Sequence, residues 1–192
     1  MASWRGSCPD NSAPTGHGLK ETAVGSMHAP TASGPLQHVD CVTSAAVELF
    51  ESTCAATLEP VAGDAHAAEP DGVIVAVISL VGDVEWAVLL GMPRDTASGV
   101  ATKFAGFEIA FDSEDMGDAI GELTNIFAGL VKANLDRSGV RVEMSLPSVM
   151  RGESLEMLSR TGIRAELTCF GSELGKVWAG VLAAARARAP NG

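Results

Sequence analysis

The feature that most restricts the fold of this chain is an amphipathic segment from about residue 113 to about residue 135. At about 100° per residue, one side of a helix over this segment is apolar. The apolar side comprises Ile120, Leu123, Ile126, Phe127, Leu130 and Val131. A stripe of this width has to be buried, so the segment predicts a long helix that packs against another layer of the protein.

The opposite side of the same helix carries a polar row. Its members, separated by three or four residues, are Asp118, Glu122, Asn125, Gly129 and Lys132. This spacing lines the side chains up along a face in contact with solvent. Gly121 lies beside the row, and a glycine inside a helix costs about 1 kcal/mol relative to alanine. The two glycines favour a close approach of another molecule, although a merely solvated outer face is the ordinary reading of such a row.

Two apolar runs, residues 73–81 and 84–90, predict a β-hairpin. They are separated by Gly82 and Asp83, a residue pair typical of a tight turn. The first run is apolar on both faces. It is therefore either a central strand or a strand whose outer face meets another subunit.

The remaining pattern completes an α/β (α+β) sandwich, with a largely antiparallel sheet and two long helices packed on one face. A first helix begins near Val39, with Asp40 as its expected N-cap. A short helix follows Pro93 and ends near Phe104. Residues 140–150 and 162–170 are predicted strands, and residues 176–185, written with Ala and Arg, fit either a strand or a helix.

Composition excludes several classes of function. The net charge of −11 and the absence of a Lys/Arg cluster argue against nucleic-acid binding. No run is apolar for long enough to span a bilayer, and the N-terminus lacks the apolar core of a secretory signal, so a cytoplasmic protein is expected. Four cysteines without a Cys-x-x-Cys pair, and four histidines without ligand spacing, indicate neither a disulfide framework nor a metal site.

Domain organisation follows from the same composition. Residues 1–37 are rich in Ser, Gly, Pro, Thr and Ala without a periodic apolar pattern, which predicts a disordered tail. Residues 38–188 form the predicted folded domain. Residues 189–192 are a short C-terminal tail.

Asp118, Glu122 and Asn125 also form a motif, Asp-x-x-x-Glu-x-x-Asn, which is followed by the predicted strand with Pro147 and by a closing hairpin over residues 170–178. In these features the chain resembles the CheX/CheC family of chemotaxis phosphatases, in its single-site CheX branch. The resemblance covers about residues 39–185 and implies a strand, not a helix, over residues 176–185. Pro147 comes one residue early relative to the family's Asn-to-Pro spacing, and we assign the difference to a shortened turn near residues 136–139.

The resemblance implies an enzyme that dephosphorylates an aspartyl-phosphorylated, CheY-like receiver domain of a response regulator. Glu122 and Asn125 would be its catalytic residues, Asn125 orienting the attacking water and Glu122 anchoring the receiver through the receiver's invariant lysine. The expected partner-binding residues are Asp118, Gly121, Gly129 and Lys132. No cofactor is expected on this chain, because the receiver carries its own Mg²⁺.

The first helix carries a related row, Ser44, Glu48 and Glu51, which looks like a degenerate second site. The position of the amide is taken by Glu51. An ionised carboxylate repels a phosphoryl group and cannot donate a hydrogen bond to it, so no activity is expected there. A chance match of Ser44 and Glu48 is an equally good explanation.

Two alternatives stay open on the sequence alone. The same surface would serve a catalytically silent receiver-binding or scaffold module in a chemotaxis, flagellar or two-component assembly, with no need of Asn125. Self-association as a homodimer is a further hypothesis, because the family includes dimers and the apolar hairpin offers an edge.

Overall fold

The computed structural model describes residues 2–4, 38–61, 72–153, 155, 157–159 and 162–184. The elements are, in chain order, β1 Ala2–Trp4, α1 Asp40–Cys54, β2 Glu59–Pro60, β3 Val73–Gly82, β4 Glu85–Pro93, α2 Arg94–Ala105, α3 Glu114–Arg137, β5 Val142–Met144, β6 Ser148–Gly152, β7 Met157–Ser159, β8 Ile163–Ser172 and β9 Gly175–Ala184. The described strands form a seven-stranded sheet, in the order β2-β8-β9-β4-β3-β5, with β6 also paired to β3; β1 and β7 form a separate pair. All these pairings are antiparallel.

The hairpin of β3 and β4 lies at the centre of the fold, as predicted. Its register places Val81 opposite Glu85, so the chain reverses at Gly82 and Asp83. On its other side β3 pairs with β5 and β6. A strand with neighbours on both edges is interior to the sheet, which is consistent with its apolar residues on both faces.

The three described helices pack on one face of the sheet, and this confirms the predicted architecture. Alternate residues of β3, from Ile74 to Leu80, are fully buried beneath them, whereas Val75 and Val77 on the other face are only half-buried. The two long helices lie side by side, as expected. The Asn134 amide of α3 donates to the carbonyl of Cys41 in α1 at 3.3 Å.

The two long helices begin in different ways. The Ser113 side chain caps α3 by accepting a hydrogen bond from the backbone N–H of Met116 at 3.3 Å, and Glu114 and Asp115 in the first turn suit the positive end of the helix dipole. Asp40, predicted as the N-cap of α1, is instead its first helical residue. The N-cap is Val39, which has helical φ and ψ and no side-chain acceptor to offer.

The strand predicted over residues 140–150 is broken into β5 and β6. Met144 pairs with Leu80 and Ser148 pairs with Val77, so that three residues stand opposite two and form a β-bulge. The Ser145 hydroxyl takes the place of a backbone acceptor for the N–H of Ser79, at 3.0 Å. Pro147 falls in the break, where its missing N–H removes no ladder hydrogen bond.

Residues 2–4, which fall within the segment predicted as a tail, form β1 and pair with β7. Residues 5–37, 62–71 and 185–192 lie outside the described residues, so the domain limits at 38 and 188 stay a prediction. Of the described helices, none has the length and apolar character required to cross a membrane.

The face of the sheet opposite the helices presents exposed apolar side chains. Val81 is 58% exposed and Met150 is 43% exposed. Val81 lies on β3 itself, on the same face as the half-buried Val75 and Val77, and Met150 pairs with Val75. The homodimer inferred from the apolar hairpin stays a prediction, and sedimentation velocity at several protein concentrations tests it: a monomer at all of them would reject it.

Gly82 is the position at which the hairpin and the chain after α3 approach most closely. A Cβ atom at residue 82 would lie 2.3 Å from the backbone carbonyl oxygen of Arg141. We expect Gly82→Ala to lower the free energy of unfolding by about 1–3 kcal/mol, because backbone has to move. Gly99→Ala is the matched control: its Cβ meets only ordinary contact at 3.7 Å, and the helix should gain up to about 1 kcal/mol. Equal midpoints in urea for the two variants would contradict the expectation.

Candidate functional site

A cleft of about 570 Å³ lies between the outer side of α3 and the bulged edge of the sheet. Its lining residues are Gly117, Asp118, Gly121, Glu122, Asn125, Pro147 and Val149. Asp118 and Glu122 are exposed, and Asn125 is half-buried. The structure therefore brings the three polar residues of the motif together on the wall of one cleft.

The two walls of the cleft have different origins. The helix wall follows directly from the spacing of the polar row, because residues three and four apart share a face. The sheet wall depends on the bulge, because the extra residue changes which side chains of the edge strand point toward the helices. Val149 pairs with the buried Ala76 and so faces the helices, as does the side chain of Pro147, which reaches α3.

Glu122 and Asn125 interact directly. The Asn125 amide Nδ2 donates to Glu122 Oε2 at 3.2 Å. This bond orients the carboxamide, and within the described part of the chain its carbonyl oxygen has no hydrogen-bond partner. A free carbonyl oxygen and a second amide proton at the edge of a cleft can accept a hydrogen bond from a water molecule and donate one to an anionic oxygen.

The glycines of α3 have separate roles. Gly121 is buried, and a Cβ there would meet Val149 Cγ2 at 3.6 Å and Pro147 Cγ at 3.7 Å. The chain's own edge strand therefore approaches closely at Gly121, and a role of Gly121 in partner binding stays a prediction. Gly129 does face open space, one turn beyond Asn125.

Gly117 is a cleft residue that the sequence reasoning missed. A Cβ at this position would have no heavy atom within 4 Å, so the cleft is open above it. It stands four residues before Gly121, on the same face of the helix. That spacing is the signal that could have included it.

Lys132 was expected on the partner-binding surface, and the structure gives its ammonium another role. The ammonium donates to the carbonyl of Val142 in β5 and lies 3.8 Å from the carboxylate of Asp136. Both acceptors belong to this chain. Lys132 therefore ties α3 to the sheet, and its role in partner binding stays a prediction.

The row on α1 is exposed, as predicted. Ser44, Glu48 and Glu51 all lie on the outer surface of the helix. Residue 51 is a carboxylate instead of an amide by sequence, and no cation pairs with it within the part of the chain that the structure describes.

The segment before α3 is held by two arginines. Arg94 from the start of α2 forms an ion pair with Asp112 at 3.0 Å, and its guanidinium lies 4.1 Å from the centre of the Phe111 ring. The hydrogen bond from Arg94 lowers the pKa of the Asp112 carboxyl below its ordinary value of 3.8. Arg151 from β6 reaches the same segment from the other side.

This ion pair gives a prediction that titration can test. The folded-state pKa of Asp112 is depressed, so the stabilisation it supplies is present above the ordinary pKa and is lost as the pH falls through the lower, folded value. NMR titration of the side-chain carboxyl should report a pKa below 3.8, and Arg94→Met should return it toward 3.8. An unchanged pKa in the variant would contradict the assignment of Arg94 as the cause.

No group of three His, Cys, Asp or Glu side chains that could hold a metal ion occurs among the described residues. Cys41, Cys54 and Cys169 are free and buried. Burial raises the pKa of the Cys41 and Cys54 thiols, which keeps them protonated and unreactive. Cys8 lies outside the described residues.

The fold and the candidate site define a domain in which an antiparallel sheet carries a helix with a polar outer surface. Comparison with known proteins finds the same kind of domain. Residues 74–168 match the family model described as chemotaxis phosphatase CheX. No curated protein shows a significant match in sequence. The match covers 95 of the 192 residues and confirms the resemblance to the CheX family inferred from the motif.

Three solved structures illustrate the relationship. A chemotaxis protein CheX from Desulfovibrio desulfuricans is 18% identical, with a TM-score of 0.64 over 76% of this chain and 98% of its own. Chemotaxis protein CheX from Vibrio vulnificus is 18% identical, with a TM-score of 0.66 over 78% of this chain and 98% of its own. A CheX-CheY-BeF₃-Mg²⁺ complex from Borrelia burgdorferi gives 22% identity and a TM-score of 0.58 over 78% and 98%. At these identities the three relatives establish the fold.

Proposed function

We propose that this protein hydrolyses the aspartyl phosphate of a CheY-like receiver domain, with Asn125 orienting the attacking water and Glu122 binding the receiver. The observation that carries the proposal is the half-buried Asn125 amide on the cleft wall, oriented by Glu122 at 3.2 Å and with its carbonyl oxygen free. The family match and the receiver complex formed by one structural relative support the choice of substrate.

The reaction asks little of the protein beyond positioning. An aspartyl phosphate is an activated acyl phosphate, so hydrolysis requires a water molecule in line with the scissile P–O bond and compensation of charge on the phosphoryl oxygens. The Asn125 carbonyl would accept a hydrogen bond from the water while the amide donates to a phosphoryl oxygen. Water attacks phosphorus, the bond to the aspartyl oxygen breaks, and inorganic phosphate and a free carboxylate result. The Mg²⁺ that offsets the phosphoryl charge is expected on the receiver.

Glu122 would bind a cation of the receiver, because its carboxylate would repel the phosphoryl group. Asp118 lies one turn earlier on the same exposed face and adds a second negative charge to the rim. Two carboxylates at one rim favour the approach of a basic side chain, such as the receiver lysine implied by the family. Gly129 leaves open space beyond Asn125 for the rest of the receiver.

Asn125→Ala should abolish most of the accelerated loss of receiver phosphate. We expect a fall in kcat of about 100-fold or more, since the water loses its positioning group, with an unchanged unfolding midpoint. The measurement is the decay of phosphorylated receiver with and without the protein. Decay that is equally fast with the variant would remove Asn125 from the mechanism. Decay unaffected by the unmodified protein, together with retained binding, would favour the silent receiver-binding module.

Glu122→Ala should chiefly weaken receiver binding, with an increase in Kd of about tenfold for loss of a charged contact. Titration with a beryllofluoride-activated receiver gives the affinity without turnover. Glu48→Ala is the matched control, an exposed glutamate at the corresponding place in the row of α1. A normal affinity for Glu122→Ala, or an equal loss for Glu48→Ala, would contradict the role of Glu122.

A further inference from the structure

Arg151 in β6 binds the three residues that precede α3. One guanidinium nitrogen, Nη1, donates to the carbonyls of Phe111 and Ser113, the latter at 2.8 Å, and Nη2 donates to the carbonyl of Asp112 at 3.0 Å. The same group lies 5.7 Å from the centre of the Phe111 ring. A single planar guanidinium thus serves three consecutive carbonyls, a pattern that the point charge of a lysine cannot reproduce.

The contacts between β6 and α3 occur at two separated levels. Arg151 holds Ser113 at the start of the helix, and Pro147 packs against the position of Gly121 further along. Eight residues of helix, from 113 to 121, rise about 12 Å. Four residues of extended chain, from 151 to 147, span about 13 Å. The edge strand therefore runs antiparallel beside the first two turns of α3, with a contact at each end.

The place of β6 in the sheet is set by its ladder with β3, in which residues 148–152 pair with residues 73–77, and Arg151 adds the link to the start of α3. Among the described strands, β6 pairs only with β3, and the bulge separates it from β5. Val149 and Pro147 touch α3 through apolar contacts, which are not directional. The hydrogen bonds of Arg151 are directional, so they specify where along α3 the strand lies.

We propose that Arg151 is a positioning residue for the cleft. By holding the carbonyls before α3, it sets the register of the edge strand against the helix and so places Pro147 and Val149 opposite Glu122 and Asn125. The shape of the cleft, and through it the affinity for the receiver, depends on this register. The inference rests on the proposed function, although its structural part can be measured independently.

Arg94 provides an internal comparison. It contacts the same Phe111 ring and the same Asp112, but it does so from α2. Loss of either guanidinium weakens the hold on the segment before α3. Of the two arginines, only Arg151 also links that segment to β6, which keeps its ladder with β3 in either variant. The two variants therefore separate general loosening of the segment from loss of its register against β6.

The experiment compares Arg151→Met with Arg94→Met, since methionine keeps much of the apolar stem and removes the guanidinium. For Arg151→Met we expect KM for phosphorylated receiver to rise about tenfold, with kcat within about twofold, because Asn125 is untouched and docking is impaired. For Arg94→Met we expect KM to be unchanged. Arg151→Lys, which keeps the charge and loses the fork, should shift KM in the same direction as Arg151→Met and serves as the second variant if the methionine variant is poorly folded.

Hydrogen exchange supplies a readout that needs no turnover. Amides of residues 148–152 should exchange faster in Arg151→Met and at the normal rate in Arg94→Met. An unchanged KM in Arg151→Met, an equal rise in both methionine variants, or unchanged exchange in β6 would overturn the proposal. If the unmodified protein fails to accelerate phosphate loss, the proposed function fails, and the exchange comparison still decides whether Arg151 holds the strand.

Discussion

The burial of the apolar side of α3 against the sheet is the interaction on which the rest of the structure depends. Ile120, Leu123 and Phe127 are fully buried, so the rotation of the helix about its axis is set by the hydrophobic effect. Once that rotation is set, the polar row has to face outward. The candidate chemistry of this protein thus results from a packing constraint. The exposed carboxylates and the half-buried amide occupy the side of the helix that does not pack against the core.

A polar helix surface becomes a cleft only when a second wall is present. The bulge after Met144 supplies it, by bringing Pro147 and Val149 over Gly121. Ser145 offsets the break by accepting the hydrogen bond that the ladder would otherwise leave unmade. Bulges are common beside active sites because one extra residue redirects the side chains that follow it. Here it allows the edge of the sheet and the motif helix to line the same cavity.

The sequence predicted the elements with a strong local signal. The 24-residue helix and the β3–β4 hairpin were both identified with limits close to those observed, since periodicity and turn residues are local properties. The contacts of Lys132 and Gly121 within the chain gave no local signal, because they come from residues distant in the sequence, at Val142, Pro147 and Val149. Asp40 was misassigned for a smaller reason: a capping residue type was present, but the backbone had already entered the helix at Val39.

By itself the sequence determined which residues share a helix face and which runs form the central hairpin. Those properties follow from side-chain spacing, which tertiary contacts do not alter. The link from the motif to aspartyl-phosphate chemistry came from the family resemblance and is a proposal. Only the tertiary structure decided that Asn125 is oriented by Glu122 at the wall of a cleft, that Lys132 is occupied by its own chain, and that the edge strand closes over Gly121. These depend on the bulge and on pairings between residues far apart in the chain, for which a local pattern carries no signal.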